Sequence, residues 1–150
     1  MIPIDRHGNV LVMHRTDKVR SAKNVWSFPS GLHEIGECVE EAMKRELEEE
    51  YGLDILRTRL LGLYENIAGD DQFSSQYHWL IVVYGVLVDN IGNAQNKEPD
   101  KHDQMKGVEY YKLGKEFFYK DHPFHATFDK WAREHMFDIV AKLRDLYTHV

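Results

Sequence analysis

The sequence predicts a mixed α/β fold in which helices pack on a mixed β-sheet. Three observations carry that expectation. Residues 76–88, QYHWLIVVYGVLV, are rich in β-branched and aromatic side chains, the composition of a strand held inside a sheet. Residues 38–51 place Met43, Leu47 and Tyr51 on one stripe of a helix that should stop at Gly52. Phe128, Trp131, Ala132, Met136, Ile139, Val140 and Leu143 recur at a helical period near the end of the chain.

The other elements fall between these anchors. Ile2 to Ile4 leave little room for a first strand, so a stunted edge strand is expected there. NVLVMHR, 9–15, has strand character after the turn-like DRHGN. The stretch 16–31, TDKVRSAKNVWSFPSG, is polar and turn-rich. Residues 55–66 alternate enough for a strand, 89–105 read as a long polar loop, and VEYYKL at 108–113 as a short strand. A single helix is expected over about 125–147. With 150 residues and no repeat, linker or low-complexity tract, one domain spanning 1–150 is expected.

Composition narrows the function classes. The chain is 43% hydrophobic and 29% charged, and 25 acidic against 19 basic residues give a net charge of −6. A broad basic surface for nucleic acid is therefore not expected. An anionic small molecule is not excluded by the charge, because a bound divalent cation inverts the local charge logic. The lone Cys38 allows no internal disulfide and no cysteine-rich zinc cluster. No signal-like or membrane-spanning run is evident, so a cytoplasmic location and no membrane partner are expected.

The run RELEEE, 45–50, is the most informative stretch. Glu46, Glu49 and Glu50 stand at i, i+3 and i+4, which a helix brings to one face. Each close pair of like charges costs about 0.2–0.5 kcal/mol on an exposed helix. A solvated surface face is the common fate of such a run. Converging carboxylates are also a natural seat for Mg²⁺ or Mn²⁺, which take oxygen ligands.

The residues around the run decide between these readings. From Gly31 the order is five residues, Glu37, seven residues, Arg45-Glu46-Leu47, one residue, Glu49-Glu50, one residue, Gly52-Leu53. Every fixed position resembles the box of the Nudix hydrolases (MutT-like proteins), G-x5-E-x7-R-E-U-x-E-E-x-G-U, with U a bulky aliphatic residue. The resemblance covers roughly residues 4–113 and extends more loosely to the last helix. It implies an α/β/α sandwich with a mixed sheet, and hydrolysis of a nucleoside diphosphate linked to a group X. It further implies that Glu46, Glu49 and Glu50 ligate Mg²⁺ or Mn²⁺, that Glu46 orients or deprotonates the attacking water, and that Arg45 holds Glu46 by a charge-assisted hydrogen bond. Glu37 reads as structural, suited to the helix dipole. Where relatives carry Pro-Gly-Gly, this chain has Pro29-Ser30-Gly31; the Ser30 carbonyl keeps its capacity to ligate metal, but a positive φ there would be strained.

Further site residues are expected in EPDKHDQMKG, 98–107, with Asp103 the first candidate for an added metal ligand or base and His102 the second. Arg15 and Arg20 are candidates for phosphate. Trp26 and Phe28 could stack on a base, although core packing is the commoner fate of such rings. His78 reads as a core or edge histidine. The leading activity is cleavage of an NTP or dNTP to the monophosphate and pyrophosphate, suggested by the composition of the loop around EPDKHD. A nucleotide sugar of the GDP-mannose or ADP-ribose type, or coenzyme A, is the alternative; the markers for these around Ala68 to Ser74 are weak. A regulatory domain that binds a nucleotide without catalysis is the alternative of another class, and the intact acid set argues against it. Surface aromatics are compatible with a homodimer.

Overall fold

In the computed structural model, which describes residues 1–19, 22–66, 78–113 and 126–148, the sheet is organised around β2 (Asn9–Arg15). Its run Val10-Leu11-Val12-Met13 is buried throughout. Val10 and Val12 pack with Trp131, Ile139 and Leu143, whereas Leu11 and Met13 pack with Met43, Leu47 and Tyr51. Successive side chains on a strand point to opposite faces, so a strand that is apolar at every position needs a helical layer on each side. The result is the expected α/β/α sandwich.

One edge of β2 pairs along its length with β6 (His102–Glu109), antiparallel. The other edge meets β1 (Ile2–Ile4) at Val10 and β3 (Trp26–Ser27) at Met13 and His14. β1 runs parallel to β5 (Trp79–Leu87), which pairs antiparallel with β4 (Arg57–Asn66). The sheet is therefore mixed, in the order β3-β2-β1-β5-β4 with β6 added on β2.

Helix α1 (Val39–Tyr51) covers one face. At its start Glu41 accepts the Cys38 N–H at 2.7 Å. At its end Gly52 adopts φ 65°, and the Gly52 and Leu53 amides donate to the Glu48 and Leu47 carbonyls at 3.0 and 3.2 Å. This glycine-closed end is what the sequence predicts. The other face is covered by α2 (Ala126–Glu134) and α3 (Met136–Thr148). These helices ride close over two glycines: a Cβ on Gly62 would lie 2.7 Å from the Trp131 ring, and one on Gly85 would lie 3.0 Å from Leu143.

Four expectations need correction. β1 is short, but it is an interior strand with partners on both sides, and Ile2 and Ile4 are fully buried. Residues 102–105 belong to β6 rather than to the polar loop, because β2 supplies a full row of backbone partners. Tyr110–Lys112 forms a 3₁₀ turn instead of strand. The C-terminal helix is broken at His135, whose amide and ring Nδ1 lie 3.1 and 2.9 Å from the same Trp131 carbonyl oxygen. The expected apolar stripe is nonetheless the buried one, including Trp131, Ala132, Ile139 and Leu143. Arg20, the segment Ala68 to Ser74 and His125 lie outside the described residues. Among the described residues no helix is long and apolar enough to cross a membrane.

Candidate active site

The box helix is fastened to the sheet by Met43, Leu47 and Tyr51, all buried, which turns Arg45, Glu46 and Glu49 away from that contact. Arg45 organises this side. Its Nε and Nη2 donate to the two carboxylate oxygens of Glu37 at 3.1 and 2.8 Å, its Nη1 donates to Glu46 at 2.9 Å, and its Nη2 also donates to the Leu32 carbonyl at 3.0 Å. Glu49 stands 3.6 Å from the same guanidinium. Such a bidentate clamp fixes the plane of the guanidinium as well as its charge. The Arg45 hydrogen bonds, with one from the Glu34 amide, hold the Glu37 carboxyl down at about 2. Glu37 is thus the second anchor of Arg45, a tighter role than the helix-dipole one expected of it.

Gly31 leaves room for this arrangement. A Cβ there would fall 2.1 Å from the Glu46 carboxyl carbon, so the position excludes a side chain for lack of space. Its φ is not positive, and neither is that of Ser30. The strain feared at Ser30 does not arise, and the residue is exposed.

Glu50 looks the other way, into the protein, with only 9% of its surface exposed. Here the end of α1 does further work. Its last carbonyls lack helical partners, and the loop before β6 supplies them: the Gln95 and Lys97 amides donate to the Tyr51 and Glu50 carbonyls at 3.0 and 3.1 Å, and Lys97 Nζ donates to the Glu48 carbonyl at 2.8 Å. Asn96 braces the same loop, its side chain accepting the Glu98 N–H at 3.2 Å and donating to the His102 carbonyl at 2.6 Å. The loop thereby delivers Glu98 beside Glu50. Burial, and then hydrogen bonding to the neighbouring Glu98 carboxylate, push Glu50 up to about 7. Lys101 Nζ lies 3.5 Å from Glu50 and 2.6 Å from Glu98 Oε2. The Lys101 ion pair is the contact that reaches this buried oxygen.

The two residues expected from 98–107 are separated by strand alternation. His102 is buried on the α1 side, its ring 6.1 Å from that of Tyr51, and burial followed by the charge of Arg15 lowers it to about 4. Asp103 points to the opposite face, where it sits 2.7 Å from His14 Nδ1 and half exposed. A register shift between His14 and Arg15 marks the spot. Asp103 is therefore not brought to the box carboxylates, and Glu98 stands where an additional acid was sought. Arg15 shares the face of His102 and donates from Nε to the Ala22 carbonyl at 3.1 Å; burial lowers its pKa. Trp26 and Phe28 are 7% and 8% exposed and belong to the core, Trp26 against His14 and Lys106, Phe28 against Phe128. Their expected stacking on a base is corrected accordingly: the rings are spent on packing. His78 is exposed, 3.2 Å from Glu65, and not a core residue.

The donor chemistry of Glu46, Glu49, Glu50 and Glu98 suits a hard divalent cation: all are carboxylates, and one oxygen of Glu98 is buried without an aligned donor. As they stand, the acids are engaged by cations of the chain itself, Glu46 and Glu49 by Arg45 and Glu50 and Glu98 by Lys101. Among the described residues no three acidic, histidine or cysteine side chains converge on one point.

Comparison with known proteins agrees with this geometry. The NUDIX domain model matches residues 1–132. The chain belongs to the Nudix hydrolase family. An 8-oxo-dGTP diphosphatase of Proteus vulgaris is 40% identical over 57 residues, covering 38% of this chain and 50% of that protein. An ADP-ribose pyrophosphatase of Methanocaldococcus jannaschii is 32% identical over 110 residues, covering 73% of this chain and 58% of that protein. This Nudix chain thus spans only about half the length of the curated relatives it matches. Among solved structures, a MutT Nudix hydrolase from Burkholderia pseudomallei superposes with a TM-score of 0.63 at 26% identity, covering 90% of this chain and 98% of that one.

Proposed function

We propose that this Nudix chain hydrolyses the phosphoanhydride of a nucleoside triphosphate or deoxynucleoside triphosphate, giving the monophosphate and pyrophosphate. The observation that carries the reading is the delivery of Glu98 to buried Glu50, one turn along from Glu46 in its Arg45 clamp. Glu50 and Glu98 stand side by side, a pair whose repulsion a bound cation would relieve.

Glu46, Glu49, Glu50 and Glu98, with the Ser30 carbonyl, are the residues that would hold Mg²⁺ or Mn²⁺. When bound, such a cation neutralises charge on the diphosphate and lowers the pKa of a coordinated water. Arg45 keeps Glu46 in one orientation, so that its carboxylate can align or deprotonate the attacking water. Burial and the neighbouring Glu98 carboxylate push Glu50 up to about 7, which suits it to take a proton from a water. Arg15, on the same face, offers charge to a phosphate. His102, neutral and buried, serves as packing beneath the acids.

Similarity to the 8-oxo-dGTP diphosphatase supports a triphosphate substrate, and similarity to the ADP-ribose pyrophosphatase supports ADP-ribose as the second reading. Turnover of all NTPs and dNTPs, 8-oxo-dGTP, ADP-ribose, GDP-mannose and coenzyme A with Mg²⁺ and with Mn²⁺ separates them. ³¹P NMR in ¹⁸O-labelled water then identifies the atom attacked. Triphosphate cleavage with the label on phosphorus supports the proposal. Cleavage of ADP-ribose alone transfers it to the second reading. Tight nucleotide binding without turnover would make this a non-catalytic binding domain.

A further inference from the structure

We propose that Lys101 is a tethered competitor for the cation: its ammonium is seated between Glu50 and Glu98 and must swing out when a divalent ion enters. The inference rests on the cation site proposed above and concerns a residue outside the Nudix box.

Three observations carry it. Lys101 Nζ touches both inner acids, at 3.5 Å to Glu50 and 2.6 Å to Glu98, so one monovalent charge spans the pair. This ammonium is the group that reaches the buried Glu98 Oε2, so its departure frees that oxygen for another cation. The side chain is 53% exposed and free to leave, while its backbone stays fixed: its amide donates to the Glu98 carbonyl at 2.9 Å, and its carbonyl accepts the Thr16 amide at 2.9 Å. Leaving therefore costs a side-chain rotation and no change of fold.

The contrast with Arg45 is instructive. That guanidinium is pinned by Glu37 and the Leu32 carbonyl as well as by Glu46, and its planar fork has no comparable path out. The site thus has one fixed cation, which orients, and one displaceable cation, which offsets the repulsion between buried Glu50 and half-buried Glu98 until the divalent ion arrives. A lysine stem suits the second task, because its point charge is readily re-solvated at the surface.

The test is Mn²⁺ binding to the full chain without substrate, followed by the EPR signal of free Mn²⁺, for wild type, Lys101→Gln and Lys101→Arg. Removing the competing charge tightens Mn²⁺ binding on the order of tenfold in Lys101→Gln, while Lys101→Arg, which keeps a charge, shows no such gain. In thermal melts Lys101→Gln has a lower metal-free Tm and a larger rise on adding Mn²⁺. A merely structural lysine would lower the Tm without tightening binding. Equal or weaker Mn²⁺ affinity in Lys101→Gln overturns this inference and leaves the cation site standing. No Mn²⁺ binding by wild type overturns both.

Discussion

Replacing Gly31 by alanine separates the two things this glycine could be doing. Its backbone is not in the left-handed region, so alanine introduces no φ strain, and the shorter list of unfolded conformations would favour the native state by about 0.4–1 kcal/mol. The added Cβ, however, would come within 2.1 Å of the Glu46 carboxyl carbon and 2.4 Å of its Oε1. Since carbon atoms in ordinary contact stand about 3.5–4 Å apart, the Glu46 carboxylate must retreat by more than about 1 Å. That movement breaks its 2.9 Å bond from Arg45. A misplacement of this size costs on the order of 100-fold in rate, or about 2.7 kcal/mol of barrier. The assay is kcat on the best substrate with Mg²⁺, beside Tm by circular dichroism. The expected result is a Tm within a few degrees of wild type and turnover down about 100-fold. Gly36→Ala is the control: it has φ 95° and open space around it, so it should lower Tm while sparing turnover. Unchanged turnover in Gly31→Ala would refute the argument that Glu46 must sit where this glycine lets it.

Other perturbations probe separate parts of the account. Glu49, 64% exposed and only loosely paired with Arg45, should lose orders of magnitude of turnover as Glu49→Gln while metal-free Tm stays level or rises slightly; a parallel fall in Tm would mean the residue is structural. His102 is held neutral with a pKa of about 4, against about 6.5 in an unfolded chain. Between those values the unfolded state binds more protons, so this residue's contribution is complete above pH 6.5 and is lost as pH falls toward 4. Wild type should accordingly lose about 1–2 kcal/mol more stability than His102→Gln between pH 7 and pH 5 in urea titrations; equal losses would show that His102 is not buried as a neutral ring. Gly62→Ala would press a Cβ to 2.7 Å from the Trp131 ring, which is itself stacked on Tyr64 and His135, and should cost about 1–3 kcal/mol in the same titrations.

What could be read from the sequence was what local pattern controls. The box helix, its glycine stop, β2 and the buried stripe Trp131-Ala132-Ile139-Leu143 follow from period and capping alone. The role of β1 could not be read that way, because three residues carry no period and their burial depends on β2 and β5 arriving on either side. The split between His102 and Asp103 was hidden for a similar reason. Once 102–105 is strand rather than loop, alternation sends the two side chains to opposite faces, and only pairing with β2 makes it strand. Glu98 lay in the segment singled out, but its approach to Glu50 depends on the 95–97 amides closing the end of α1. The one local hint was Asn96, two residues ahead, whose side chain makes the turn. Lys101 gave no signal of its own.

The most direct test of the central claim compares Glu98→Gln with Asp103→Asn, measuring kcat with Mg²⁺ on the substrate that the turnover screen selects. A loss of 100-fold or more is expected for Glu98→Gln and a change within about threefold for Asp103→Asn, since Glu98 stands beside Glu50 whereas Asp103 pairs with His14. The reverse order, with Asp103→Asn inactive and Glu98→Gln unimpaired, would contradict it.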